Sequence, residues 1–157
     1  MLDAGAVATL TYNGTGIATT QAGVTVGSTK GIFNRLAASK PDVIVAELGD
    51  GILGEYGVQD ILRDAELTGV AVAYVLAAPD PVGCWGATEL MRTEFGLDVP
   101  GLTGPATDNY AGGASVLKSL PLPAHNACAA ASGLGGVVAQ ADGDRRPARQ
   151  ADSGGRV

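Results

Sequence analysis

Two short stretches constrain what this chain can fold into. Residues 42–48, DVIVAEL, and residues 70–78, VAVAYVLAA, are apolar with almost no alternation. A strand with one face in water alternates, whereas an unbroken apolar run suits a parallel strand covered on both faces. Between them Val58, Ile61, Leu62 and Ala65 recur at i, i+3, i+4 and i+7, the spacing of an amphipathic helix, with Gly69 as its stop. Strand, helix, strand in that order predicts an α/β fold: a mostly parallel sheet flanked by helices in three layers.

The remaining segments extend the pattern. Residues 4–12, AGAVATLTY, read as a strand and residues 23–26, GVTV, as a short one. From Ser28 a helix is expected, capped by Ser28 or Thr29, with Ile32, Phe33, Leu36 and Ala37 on one face. Pro41 ends it. Pro79, Asp80 and Pro81 close the second apolar run. A helix follows over 83–95 with Leu90, Met91 and Phe95 inward and Cys84 and Trp85 packed at its start. A short strand over 97–102 and a helix over 109–120, capped by Thr107 or Asp108, complete the order. Residues 1–128 thus read as one α/β domain, incomplete at its amino end. Residues 129–157, rich in Ala, Gly and Arg, read as a low-complexity, disordered tail.

Composition narrows the function. A hydrophobic share of 46% with 17% charged residues is that of a globular chain. The net charge of −6 argues against a nucleic-acid partner, which needs a basic face. The longest apolar run, near residues 69–79, is too short to span a bilayer. Cys84 and Cys128 are far apart and read as unpaired thiols. Met1 is followed at once by Leu2 and Asp3, without the basic start of a signal peptide, so a cytoplasmic location is expected.

The chemistry concentrates in residues 40–58, KPDVIVAELGDGILGEYGV, where Glu47, Asp50 and Glu55 crowd a glycine-rich loop after an apolar run. In parallel sheets ligands bind beyond the carboxyl ends of the strands. Mg²⁺ takes one or two carboxylates plus substrate phosphates, so Glu47 and Asp50 are candidate catalytic and metal-binding residues. An acidic surface turn accounts for the same letters. A second candidate is Ser28, Thr29 and Lys30, which at a helix start would meet an anion through free N–H groups and the Lys30 charge. His125, the one histidine, lacks partners at metal-ligand spacing.

The stretch DVIVAELGDG resembles the Walker-B-like strand and loop of the dethiobiotin synthetase-like P-loop NTPases, relatives of cobyrinic acid a,c-diamide synthase. The likeness runs more loosely from about Gly14 to Ala127, through TDN and LPAHNA. It implies a P-loop NTPase-like fold and gives Glu47 the role of holding Mg²⁺ or orienting substrate. Thr15, Thr19 and Gln21 would then help place the acceptor substrate, and Asn126 would read the purine of ATP. Leu48 stands where the family has Gly, Asp50 is an extra carboxylate, and the phosphate-cradling GxxxxGK[ST] is missing. The expectation is therefore a fragment or divergent member of a Mg²⁺- and ATP-dependent ligase-type enzyme. It would act on a small carboxylate or amine metabolite, and this chain alone would be inactive. The alternative is a Rossmann-like small-molecule-binding or subunit domain without catalysis. A homodimer or a missing amino-terminal domain would cover the apolar face left by the absent cradle.

Overall fold

The computed structural model describes residues 25–49, 51–54, 57–108 and 110–153. The chain is a mixed α/β protein with a two-stranded parallel sheet. It divides into two compact units between Val70 and Ala71.

In the first unit, helix α1 (Thr25–Ala37) buries Thr25, Thr29 and Ile32 and packs against α2 (Val58–Arg63), which buries Val58, Ile61 and Leu62. Gly57 enters α2 at φ 81°, where a side chain would run into that of Thr25. Helix α3 (Ala65–Val70) follows after one extended residue, Asp64. The single amphipathic helix expected here is thus split. The cause is local: Asp64 Oδ1 accepts from the backbone N–H groups of Glu66 (3.1 Å) and Leu67 (3.0 Å), capping a fresh helix. Gly69 lies inside α3 and does not stop it.

The expected strand over 42–48 is corrected. Residues 43–49 have no regular structure, and Val43 and Val45 are 67% and 70% exposed. A strand is stable only when its N–H and C=O groups find a partner ladder, and among the described residues no segment pairs with this one. Likewise Thr25 and Val26, expected in a strand, belong to α1, whose helix is already formed at Thr25, ahead of Ser28. Gly23, Val24 and the strand expected over 4–12 lie outside the described residues.

The second unit is built on a strand–helix–strand crossover. Strand β1 (Val75–Ala77) pairs in parallel with β2 (Gly101–Thr103), in the register Val75↔Gly101, Leu76↔Leu102 and Ala77↔Thr103. Helix α4 (Pro81–Phe95) joins them. Its start is capped by Asp80, whose Oδ1 accepts from Gly83 N–H at 2.8 Å, with Pro81 at the first helical position. Gly96, at φ 64°, ends it, and Leu97 N–H reaches back to Met91 O. Residues 123–125 add a third parallel segment: Leu102 N–H donates to Pro123 O (2.9 Å) and His125 N–H to Leu102 O (3.0 Å). Leu102, Cys84 and Val116 are fully buried and Met91 nearly so, which locates the core between this ladder and helices α4 and α5 (Tyr110–Ser119).

Both strands are shorter than expected. The run 70–78 keeps only 75–77, because Val70 still belongs to α3 and is 61% exposed. The run 97–102 becomes 101–103, since Pro100 has no N–H to give a ladder. Trp85, expected to pack, is 56% exposed. Residues 131–153, expected to be disordered, form helix α6 (Ala131–Ser153). A Cβ added at Gly101 would sit 3.0 Å from Val137 Cγ1 and 3.6 Å from Leu134 Cδ1, so α6 rests directly on β2.

Candidate functional site

The polar groups of the second unit gather where its parallel strands end. After β1 the chain reaches buried Ala78 and then Asp80, the cap of α4. After β2 it turns at Gly104, φ 92°, where an added Cβ would stand 2.8 Å from both the N and the O of Ala78. Only glycine lets the two backbones approach so closely. The contact is closed by Ala78 N–H to Thr103 O (3.1 Å) and Ala106 N–H to Ala78 O (3.1 Å). A 3₁₀ turn, Pro105–Thr107, follows, with Thr107 Oγ1 donating to Gly104 O at 2.8 Å. Asp108 ends this turn, exposed to solvent.

From the third parallel segment comes Asn126. Its Oδ1 accepts from the N–H groups of Cys128 (2.9 Å) and Ala129 (2.7 Å), and its Nδ2 donates to Asp108 Oδ1 at 2.9 Å. Two donors facing Oδ1 and one carboxylate facing Nδ2 fix the orientation of the amide. Beside it His125 lies on α6 so closely that a Cβ at Gly133 would meet its ring. Thr103 Oγ1, at the last residue of β2, is buried and has no hydrogen-bond partner among the described residues. The edge therefore holds a carboxylate oriented by an amide, with Asp108 Oδ2 left without a donor among the described residues. An exposed carboxylate accepts hydrogen bonds and suits a ligand group that donates them.

The other candidates fall elsewhere. Ser28, Thr29 and Lys30 lie inside α1, so the helix start on which their anion-binding role depended is not there. Thr29 Oγ1 donates to Thr25 O at 2.8 Å. Lys30 Nζ bridges Asp64 Oδ2 (2.9 Å) and Glu66 Oε2 (2.7 Å). Glu47 is exposed in the irregular segment and makes no hydrogen bond or ion pair with a described residue. Asp50, Thr15, Thr19 and Gln21 lie outside the described residues. Among the described residues no group of three His, Cys, Asp or Glu side chains is placed to hold a metal ion. Asp64 was missed by sequence reasoning, although an Asp with a Glu two residues on is a helix-start signal.

The Lys30 cluster has an electrostatic signature. Hydrogen bonds to Glu66 and then to Asp64 hold the Lys30 ammonium above its ordinary range. Lys30, followed by the Leu67 N–H, holds the Asp64 carboxyl below its own. No family model, curated protein or solved structure matches this chain.

Two outcomes are expected. Replacing Asn126 with Ala strips three solvent-exposed hydrogen bonds from the edge and should cost about 0.5–1.5 kcal/mol in denaturant unfolding, since water can serve the groups set free. For Lys30→Met the sign follows from linkage. Asp64, with a lowered folded pKa, contributes stability above its unfolded value of about 3.9 and loses it as pH falls through the folded value. Lys30, with a raised one, contributes below about 10.4 and loses it as pH rises through the folded value. The melting temperature of the native chain should therefore exceed that of the variant by a small margin from about pH 5 to pH 9, and the margin should shrink on either side.

Proposed function

We propose that the chain is an α/β small-molecule-binding module whose ligand, a small polar metabolite with an amine or hydroxyl group, sits at the carboxyl edge of the parallel strands. The observation that carries this reading is the Asp108–Asn126 hydrogen bond, which joins the ends of two neighbouring parallel segments and orients a solvent-facing carboxylate. Strand polarity favours the same edge, since open parallel sheets take their ligands there. No covalent step is assigned to the edge; its residues bind and orient.

A second reading is favoured by the likeness of residues 42–51 to the Walker-B-like strand of dethiobiotin synthetase-like enzymes. In it the chain is part of a three-layer P-loop enzyme of the ligase type, Glu47 and Asp50 hold Mg²⁺, and ATP activates a small carboxylate or amine. That chemistry rests on positioning and charge neutralisation around the transferred phosphoryl group. The two readings differ in their need for metal.

Thermal unfolding against a panel of primary amines and amino alcohols, and against ATP with and without Mg²⁺, separates them. The first reading expects an amine to raise stability without Mg²⁺, by about 1.4 kcal/mol at ten times its Kd, and Asp108→Asn to remove the effect. Stabilisation by ATP alone among the ligands, dependent on Mg²⁺ and lost in Glu47→Gln, would overturn it for the second.

A further inference from the structure

A groove of about 430 Å³ opens at the opposite edge of the second unit, beside the residues that lead into β2 and into the third parallel segment. That volume lies in the range of small-ligand sites, roughly 300–1,000 Å³. Leu97, Val99, Leu120 and Leu122 give it apolar walls, and Arg92 and Asp98 add two opposite charges. These charges do not close on each other. Arg92 is instead held by Glu89, with Nε donating to Oε2 at 3.3 Å and Nη2 bonding Oε1. Asp98 is near enough for its charge to act on Arg92, yet it makes no ion pair with a described residue. Glu89 thus fixes the guanidinium in place while the Nη1 donors keep no described partner.

An apolar trough bearing a guanidinium held by Glu89, with its Nη1 donors to spare, and a separate anion offers partners to both ends of a zwitterion with an aliphatic body. We propose that this groove binds a small aliphatic α-amino acid, with its carboxylate on Arg92, its ammonium on Asp98 and its side chain against Leu97, Val99, Leu120 and Leu122. A cation alone would leave the spare Nη1 donors of Arg92 unused, an anion alone would meet the unpaired Asp98, and a molecule without an aliphatic body would leave the walls wet. The site is distinct from the carboxyl edge and does not depend on what binds there.

The test is a titration of the full chain followed by methyl and amide NMR, with L-leucine, isocaproate and isopentylamine as probes of matched size. L-leucine should move the signals of Leu97, Val99, Leu120 and Leu122 saturably. Each one-charge analogue should bind at least about tenfold more weakly, the loss expected for one charge-assisted hydrogen bond. Asp98→Asn should weaken L-leucine by a similar factor, and the same spectra report that the exposed substitution leaves the fold intact. Absence of a saturable shift at these residues, equal binding of isopentylamine or isocaproate, or undiminished binding to Asp98→Asn would each overturn the proposal. Shifts confined to Asp108 and Asn126 would also overturn it, and would support the carboxyl edge instead.

Discussion

The second unit depends on the backbone of Leu102. Its N–H donates to Pro123 O and its C=O accepts from His125 N–H, while its neighbours Gly101 and Thr103 pair with β1. A buried peptide group left without partners costs about 1–3 kcal/mol, so Leu102, fully buried, demands residues 123–125 on one side, as its neighbours in β2 demand β1 on the other. Once they are in place, the three carboxyl ends must emerge side by side. Gly104 then folds back against Ala78, and Asn126 comes within reach of Asp108. The polar edge is a consequence of the ladder. So is the seat of α6, which needs the bare backbone of Gly101 beneath Val137.

The first unit is organised by side chains. The three helices among its described residues are short, and isolated helices of such length are marginal in water. Asp64 compensates by serving two partners at once: Oδ1 caps α3 and Oδ2 pairs with Lys30 on α1. A lysine that looked in the sequence like an anion receptor is thereby engaged in joining α1 to the start of α3. The pairing is only part-buried and within reach of salt screening, so its weight lies in geometry more than in energy.

Legibility in the sequence followed the range of the interactions. Helix α4 was readable from the local spacing of Leu90, Met91 and Phe95, although Asp80 and Pro81, read there as the end of a strand, in fact cap it. The polarity of the β1–α4–β2 crossover was readable from the order of apolar runs. Strand lengths were not, because they depend on which neighbour supplies a ladder. Residues 42–48 have the side chains of a buried strand but no partner among the described residues, and Val45 lies in solvent. Helix α6 was hidden for the reverse reason. Its composition is poor in bulky apolar residues, yet Leu134 and Val137 suffice where the opposing residue is glycine. Asp108 and Asn126 each drew notice singly, one as a cap and one as a base reader. Eighteen residues separate them, and no local pattern announces a hydrogen bond across that interval.

Native-state amide hydrogen exchange, read residue by residue, tests most directly the claim that the Leu102 ladder is the organising element and that residues 43–48 stand outside any sheet. The Leu102 and His125 amides should be among the slowest in residues 71–153, opening only with global unfolding, while the amides of 43–48 exchange at nearly the rate of an unfolded chain. Protection of 43–48 as strong as that of Leu102 would contradict the account and make that segment a strand of the core.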